Sequence, residues 1–319
     1  MAEVHSYRFA FFAILLILVG CGDPVKEQIA QQLPITEQRV QMLGESLASN
    51  QVRNASLINT YANKLLASRP ELKPIIDEFK KDATTQGPMY LALLDRVNTA
   101  KTQPNMFATS QDLYEELINI YQAADPVLYS DALSDPLNVL ADMSDGQLPR
   151  VNALSKAQSQ LANNAQDFGV GEQLIGNPSY GQWQTGSNGM SFWAWYGMYA
   201  MMGDLFGSRR AYYSDWGRYR NYSYYNDYGR TRYSSPSQLK KQTQLDTRTK
   251  KSFASRGQKF DSPYAKNRSG ASSLSGKSKT AQTSANRFRS NTANKSKYAK
   301  NASFRNSNSK TSRSFRRGK

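Results

Sequence analysis

The sequence predicts a mainly α protein: a small domain of several short helices, then a glycine- and aromatic-rich segment, then a disordered basic tail. Apolar residues at helical spacing fill the first half of the chain, and all four tryptophans lie between residues 183 and 216. Residues 236–319 hold 22 lysines and arginines but only 2 acidic residues. Residues 21–168 hold 12 lysines and arginines and 18 acidic residues. These shifts in composition predict boundaries after residues 168 and 235.

The helical domain is predicted over residues 21–168 because apolar residues recur three and four positions apart. A clear example is the stripe Leu72, Ile75, Ile76 and Phe79. A longer helix is predicted over residues 36–67, and Thr109 with Asp112 offers a cap for a later helix. Prolines lie between the stripes, where they begin or end helices, so we expect about five to seven short helices. Their apolar faces are expected to pack into one core rather than to bind partners.

The segment of residues 169–235 is rich in glycine and carries 11 of the 19 tyrosines. Two interpretations stay open for its uncharged centre. Tryptophan and tyrosine favour the membrane–water interface, so the centre is a candidate membrane contact. The alternative is an aromatic segment that packs onto the helical domain. The candidate membrane-contact residues are Phe192, Trp193, Trp195, Tyr196 and Tyr199.

The tail of residues 236–319 is predicted to be disordered because serine, asparagine and basic residues dominate it and few apolar residues are present. Such a tail binds anionic surfaces through its charge, with each basic residue near an anionic bilayer contributing roughly 1 kcal/mol. The predicted anion-binding residues lie at its end: Arg313, Arg316, Arg317 and Lys319.

The N-terminus carries an apolar run, residues 9–20, that is too short to span a bilayer as a helix, which takes about 20 residues. Its length is that of the apolar core of a signal peptide. The run ends in Leu18, Val19 and Gly20, followed by Cys21, the one cysteine of the chain. This ending resembles the lipobox of bacterial membrane lipoproteins.

The resemblance implies that residues 1–20 are a lipoprotein signal peptide, removed during maturation. Cys21 would then carry a thioether-linked diacylglycerol, and the new N-terminus would be acylated. The resemblance covers about the first 21 residues, and no specific family is indicated for the mature chain.

Composition excludes several kinds of active site. The one histidine, His5, lies in the signal peptide, and lipid would consume the thiol of Cys21. The mature chain is therefore expected to have no histidine or thiolate metal site, no cofactor and no Ser–His or Cys–His catalysis. Adjacent carboxylates such as Glu115 and Glu116 point about 100° apart on a helix, so we expect a solvated face there and not a catalytic pair.

These observations predict a lipid-anchored protein of the cell membrane or outer membrane that faces the periplasm and is not an enzyme. Its expected role is structural or interaction-based. The expected partners are membrane lipid as the covalent anchor and an anionic lipid, lipopolysaccharide or cell-wall polymer at the tail, with a protein partner left unspecified. One alternative is a nucleic-acid-binding protein, because basic and aromatic residues alternate in the tail, but the signal peptide disfavours it. The other is an envelope hydrolase that uses carboxylates.

Overall fold

The structure, a computed structural model, describes residues 24–152, 168–205, 209–219, 223–260 and 262–263. Residues 24–152, here called the helical half, form seven α-helices and confirm the mainly α class. The helices are α1 (Pro24–Ala48), α2 (Arg53–Ser68), α3 (Lys73–Asp82), α4 (Pro88–Thr102), α5 (Ser110–Ala123), α6 (Pro126–Ala132) and α7 (Ser134–Met143).

The long helix predicted over residues 36–67 is wrong, because the chain turns between α1 and α2. Asn50 has a positive φ of 56°, a left-handed conformation that asparagine tolerates better than most residues. The turn sends the two helices to different neighbours: α1 packs mainly on α5, and α2 packs on α3 and α7.

Several helix starts follow from local sequence chemistry. Proline occupies the first position of α4 and of α6, where its missing N–H costs no hydrogen bond. The hydroxyl of Thr109 accepts a hydrogen bond from the N–H of Asp112 at 3.1 Å, which confirms the predicted cap of α5. At α6 the carboxylate of Asp125 accepts the N–H of Val127 at 2.9 Å.

Residues 168–263, here called the aromatic half, contribute to the same core as the helices. Tyr180, Tyr199, Tyr224 and Tyr233 are buried in one cluster with the apolar stripes of the helical half. The ring of Tyr199 lies 5.6 Å from that of Phe79 on α3, centroid to centroid. Most of the large side chains described in this segment therefore pack in the core, as the packing interpretation predicts.

The described residues of the aromatic half include a β-hairpin. Strand β1 (Gly181–Thr185) pairs antiparallel with β2 (Ser191–Trp195), and Trp183 lies opposite Trp193. Gly181 is required there, because a Cβ at this position would come within 2.4 Å of the carbonyl oxygen of Ala194. Three further helices follow: α8 (Met202–Leu205), α9 (Tyr213–Tyr219) and α10 (Arg230–Tyr233), the last preceded by a π-helical turn over Tyr225–Gly229.

The prediction of disorder from residue 236 is wrong for its first part, which forms the helix α11 (Pro236–Ala254). Ser235 and Gln238 make a capping box at its start, with the serine hydroxyl accepting the N–H of Gln238 and the glutamine side chain accepting the N–H of Ser235. The remainder of the predicted tail, residues 264–319, lies outside the described residues and is here called the basic arm.

A second core explains why α11 is ordered. Leu245, Phe253 and Phe260 are buried together with Trp216 of α9 and Trp193 of β2. Leu245 and Phe253 are eight residues apart, which places them on one face of a helix. A sparse apolar content thus suffices here, because the few apolar side chains share one face and meet a cluster of aromatic rings.

Among the helices that the structure describes, none has both the length and the hydropathy that crossing a bilayer requires.

We expect removal of α11 to unfold the second core. A chain of residues 22–235 leaves Trp216 without Leu245, Phe253 and Phe260, and burial of such side chains contributes about 2–5 kcal/mol each. Its melting temperature should be lower by about 10 °C or more than that of residues 22–263, with tryptophan emission shifted to the red. Equal melting temperatures in the two chains would contradict the assignment of α11 to the fold.

Candidate functional site

The structure leaves two predicted sites outside the described residues. Cys21 and the lipobox residues Leu18, Val19 and Gly20 precede residue 24, and the anion-binding positions Arg313, Arg316, Arg317 and Lys319 follow residue 263. Both therefore stay predictions.

The five candidate membrane-contact residues do not form one exposed face. Trp193 is 6% exposed and Tyr199 is 4% exposed, whereas Tyr196 is 42% exposed. Phe192 and Trp195 are half-buried, and the guanidinium of Arg210 lies over the ring of Phe192 at 4.8 Å from its centroid. The prediction of membrane contact is thus wrong for Trp193 and Tyr199, because tryptophan and tyrosine side chains of the two cores already surround them.

A buried carboxylate on α3 holds two tyrosines of the aromatic half. Asp82 is 1% exposed and accepts hydrogen bonds from the hydroxyls of Tyr199 at 3.0 Å and Tyr180 at 3.3 Å. Burial disfavours the charged carboxylate more than the two hydroxyls favour it, and raises the pKa of Asp82 to about 8. Protonation of Asp82 would add one O–H donor to this cluster.

A second buried carboxylate, Asp135 on α7, receives the backbone at the start of the π-helical turn. Its two oxygens accept the N–H groups of Tyr224 at 3.0 Å and Tyr225 at 3.1 Å. Burial raises the pKa of Asp135 to about 7, and these two N–H groups act in the opposite direction. Asp135 therefore caps a turn that lies 89 residues later in the chain.

A buried ion pair joins α4, α5 and α10. Arg96 donates to both oxygens of Glu116, at 2.6 and 3.0 Å, and both side chains are about 5% exposed or less. The same guanidinium donates to the carbonyl of Arg232. The expectation of a solvated face for Glu115 and Glu116 is wrong for Glu116, because Arg96 neutralises it inside the fold.

A groove of about 430 Å³ runs between the β-hairpin and α11. The hairpin side presents Trp183 and Gln182, and α11 presents glutamines together with Lys241 and Arg248. Arg248 donates to the hydroxyls of Ser191 at 2.9 Å and Thr185 at 3.3 Å, so the helix is bonded to the hairpin across the groove. Aspartate and glutamate are absent from the described residues that line it.

Both buried aspartates and the groove lie outside what was predicted from the sequence. A signal existed for Asp82, because it lies three residues after Phe79 and therefore on the buried face of the same stripe. No comparable signal marks Asp135, whose partners are distant in sequence. The groove depends on α11, which composition alone assigned to the disordered tail.

The groove and the two buried carboxylates are separate features of the described residues. The described residues contain no group of three or more acidic, histidine or cysteine side chains that would hold a metal ion. Asp82 and Asp135 are buried in protein and do not line the groove. No protein-family model matches the chain, and neither a curated protein nor a solved structure was found to match it.

We predict that Asp82 makes stability fall as the pH rises. In the unfolded chain its pKa is about 3.9, and in the folded protein it is about 8. Between these values the folded state holds a proton that the unfolded state has lost. The free energy of unfolding therefore decreases by up to about 1.4 kcal/mol per pH unit from this group, and its contribution is complete below pH 4 and gone above pH 8.

The test is chemical denaturation of the wild-type protein, Asp82→Asn and the control Asp95→Asn, an exposed aspartate on α4, between pH 5 and 8. Asparagine keeps the shape and does not titrate, so the wild-type protein should lose stability relative to Asp82→Asn as the pH rises. The Asp95→Asn protein should follow the wild-type slope. Parallel slopes for the wild-type and Asp82→Asn proteins would contradict the prediction.

Proposed function

We propose that the mature chain, beginning at Cys21, is a lipid-anchored cell-envelope protein with a structural or interaction role. It resides at the cell membrane or outer membrane, faces the periplasm and contacts anionic envelope surfaces through its basic arm. The observation that carries the proposal is the coincidence of the apolar run of residues 9–20 with the ending Leu18-Val19-Gly20-Cys21.

The start of the fold supports this placement. Helix α1 begins at Pro24, three peptide steps after Cys21, and three steps span at most about 11 Å. A lipid on Cys21 would therefore keep the first turn of α1 close to the bilayer surface.

The side chains near this end of α1 suit a membrane surface. Met106, in the short helical turn after α4, is 69% exposed. Next to it, Ile29 of α1 and Phe107 line an apolar groove of about 460 Å³ that also includes Lys26. An apolar edge with a lysine beside the anchor can enter the headgroup region while its charge meets anionic lipid. This edge, rather than residues 192–199, is the proposed membrane contact of the folded part.

The basic arm supplies the second contact. Residues 264–319 hold 15 lysines and arginines and no acidic residue, so the charge excess of the predicted tail lies mainly beyond α11. Such a chain attracts lipid headgroups, lipopolysaccharide phosphates or acidic cell-wall polymers without a fixed structure. Because stable anchoring takes more than one acyl chain or an added basic patch, lipid and arm together would hold the protein at the surface.

We predict that Cys21→Ser abolishes anchoring. The variant should incorporate no labelled fatty acid and should remain as a precursor that still contains residues 1–20, because the acceptor thiol is gone. Mass spectrometry of the N-terminus and membrane fractionation measure both effects, with Ser6→Ala in the signal peptide as the control. A normally processed, membrane-bound Cys21→Ser protein would refute the anchor.

We also predict that the arm binds by charge alone. Residues 22–319 should bind vesicles that contain an anionic phospholipid, and residues 22–263 should bind them far more weakly. Binding should be lost near 0.5 M salt, where the Debye length is only about 4–5 Å. Changing Arg313, Arg316, Arg317 and Lys319 to glutamine should weaken it by a modest, additive step.

Two results would contradict a charge-driven membrane contact. One is binding of residues 22–319 to vesicles that survives high salt. The other is a strong preference for single-stranded DNA over anionic vesicles at equal negative charge, which would favour the nucleic-acid alternative.

A further inference from the structure

We propose that the groove between the β-hairpin and α11 binds a saccharide that carries a carboxylate. The proposal goes beyond membrane anchoring and rests on the side chains that line the groove. Its volume of about 430 Å³ lies within the ~300–1,000 Å³ of small-molecule sites and is large enough for a disaccharide.

Trp183 provides a fixed aromatic platform. Its ring centroid lies 5.1 Å from that of Trp193, 4.9 Å from that of Tyr213 and 5.2 Å from that of Trp216. These neighbours meet it at steep angles and hold it in one orientation, while the side chain stays half-buried at the groove. A rigid indole suits the C–H face of a pyranose ring and loses little entropy when it binds one.

Glutamine side chains supply hydrogen bonds for hydroxyl groups. Gln182 on the hairpin and Gln244 on α11 line the groove, and neither side chain has a hydrogen-bond partner among the described residues. Gln238 uses its carbonyl in the cap of α11, which leaves its NH₂ group for a ligand. Each amide offers donors and an acceptor to neighbouring hydroxyls, whereas an acyl chain would leave all of them unpaired.

Two cations select a negative charge. Lys241 and Arg248 line the groove, and no carboxylate among the described lining residues offsets them. One end nitrogen of Arg248 is bonded to Ser191 and Thr185, which holds the guanidinium in place. Its remaining N–H groups match a carboxylate, which accepts two parallel hydrogen bonds.

The aromatic lining extends beyond Trp183. Trp193 and Tyr196, the latter 42% exposed, also line the groove. The groove therefore provides aromatic surface, several amides and a small positive charge, a combination that suits an acidic sugar, and a nucleotide is the ligand against which this assignment is tested.

The experiment is a calorimetric titration of the full mature chain in detergent at about 0.5 M salt, where the basic arm is largely screened. Two acidic disaccharides are the probes: digalacturonate, and N-acetylglucosamine linked to N-acetylmuramic acid. The neutral chitobiose and uridine monophosphate are the comparison ligands. Tighter binding of digalacturonate would identify a uronate polymer as the source of the ligand, and tighter binding of the muramic acid disaccharide would identify a cell-wall glycan.

The variants separate the platform from the charge. Trp183→Ala and Arg248→Gln should each weaken binding by about tenfold, the size expected for loss of a stacking contact or of a charged hydrogen bond. Lys240→Gln removes the same charge from α11 outside the groove and should change affinity less than about twofold. If Trp183→Ala melts early, Arg248→Gln and Gln182→Ala carry the test, since both side chains are largely exposed.

Saturable binding of an acidic disaccharide with this pattern supports the proposal. The proposal is overturned if neither acidic probe binds saturably, or if chitobiose or uridine monophosphate binds more tightly than the acidic probes. It is also overturned if Lys240→Gln and Arg248→Gln lose affinity equally. Mass spectrometry of the same sample reports the lipid on Cys21. A missing lipid would refute the anchor and leave the groove intact, so the two failures are distinguishable.

Discussion

Buried hydrogen bonds that Asp82 and Asp135 accept join the aromatic half of the chain to its helical half. Asp82 accepts two tyrosine hydroxyls, and Asp135 accepts two backbone N–H groups at the start of the π-helical turn. A buried carboxylate without these hydrogen bonds would destabilise the fold by several kcal/mol. The donors of the aromatic half therefore satisfy carboxylates that are buried in the helical half. The ion pair of Arg96 with Glu116 acts in the same way, because its third bond goes to a carbonyl of α10. The fold of residues 168–263 therefore depends on the helices that precede it.

This dependence determines what the surface presents. With Tyr180 and Tyr199 held against α3, the hairpin that follows Tyr180 is fixed, and its tryptophans pack on α9 and α11 to form the second core. The groove lies between two elements of that core, so its aromatic platform and its cations are held by the packing beneath them. The described part of the chain ends at residue 263, near the same core, where Phe260 packs against Gly217 of α9. The proposed lipid would be attached three residues before α1. The proposed anchor, the basic arm and the groove thus belong to separate parts of the chain, as the proposal of a protein with several envelope contacts requires.

Much of the helical half is predictable from local sequence. The stripe from Leu72 to Phe79 and the cap at Thr109 work through neighbours three and four residues away, so pattern alone places α3 and α5. The features that were missed depend on distant partners. Trp193 and Tyr199 are of residue types that are typical of a membrane contact. They are buried because aromatic side chains of α3 and α9 pack around them. Helix α11 has two buried apolar anchors, Leu245 and Phe253, in a polar sequence, and they stabilise a helix only because Trp216 and Tyr213 lie opposite. The turn at Asn50 is local, yet the apolar pattern continues across it and hides the break.

The most direct test of this account compares two probes in one unfolding experiment. All four tryptophans lie in residues 183–216, so their emission reports the aromatic half, whereas far-ultraviolet circular dichroism reports mainly the seven helices that precede it. If the buried aspartates make the two halves one cooperative unit, the denaturant midpoints of residues 22–263 measured by the two probes should coincide. A tryptophan transition that is complete while the helical signal is unchanged would show that the aromatic half unfolds on its own, and would contradict the account.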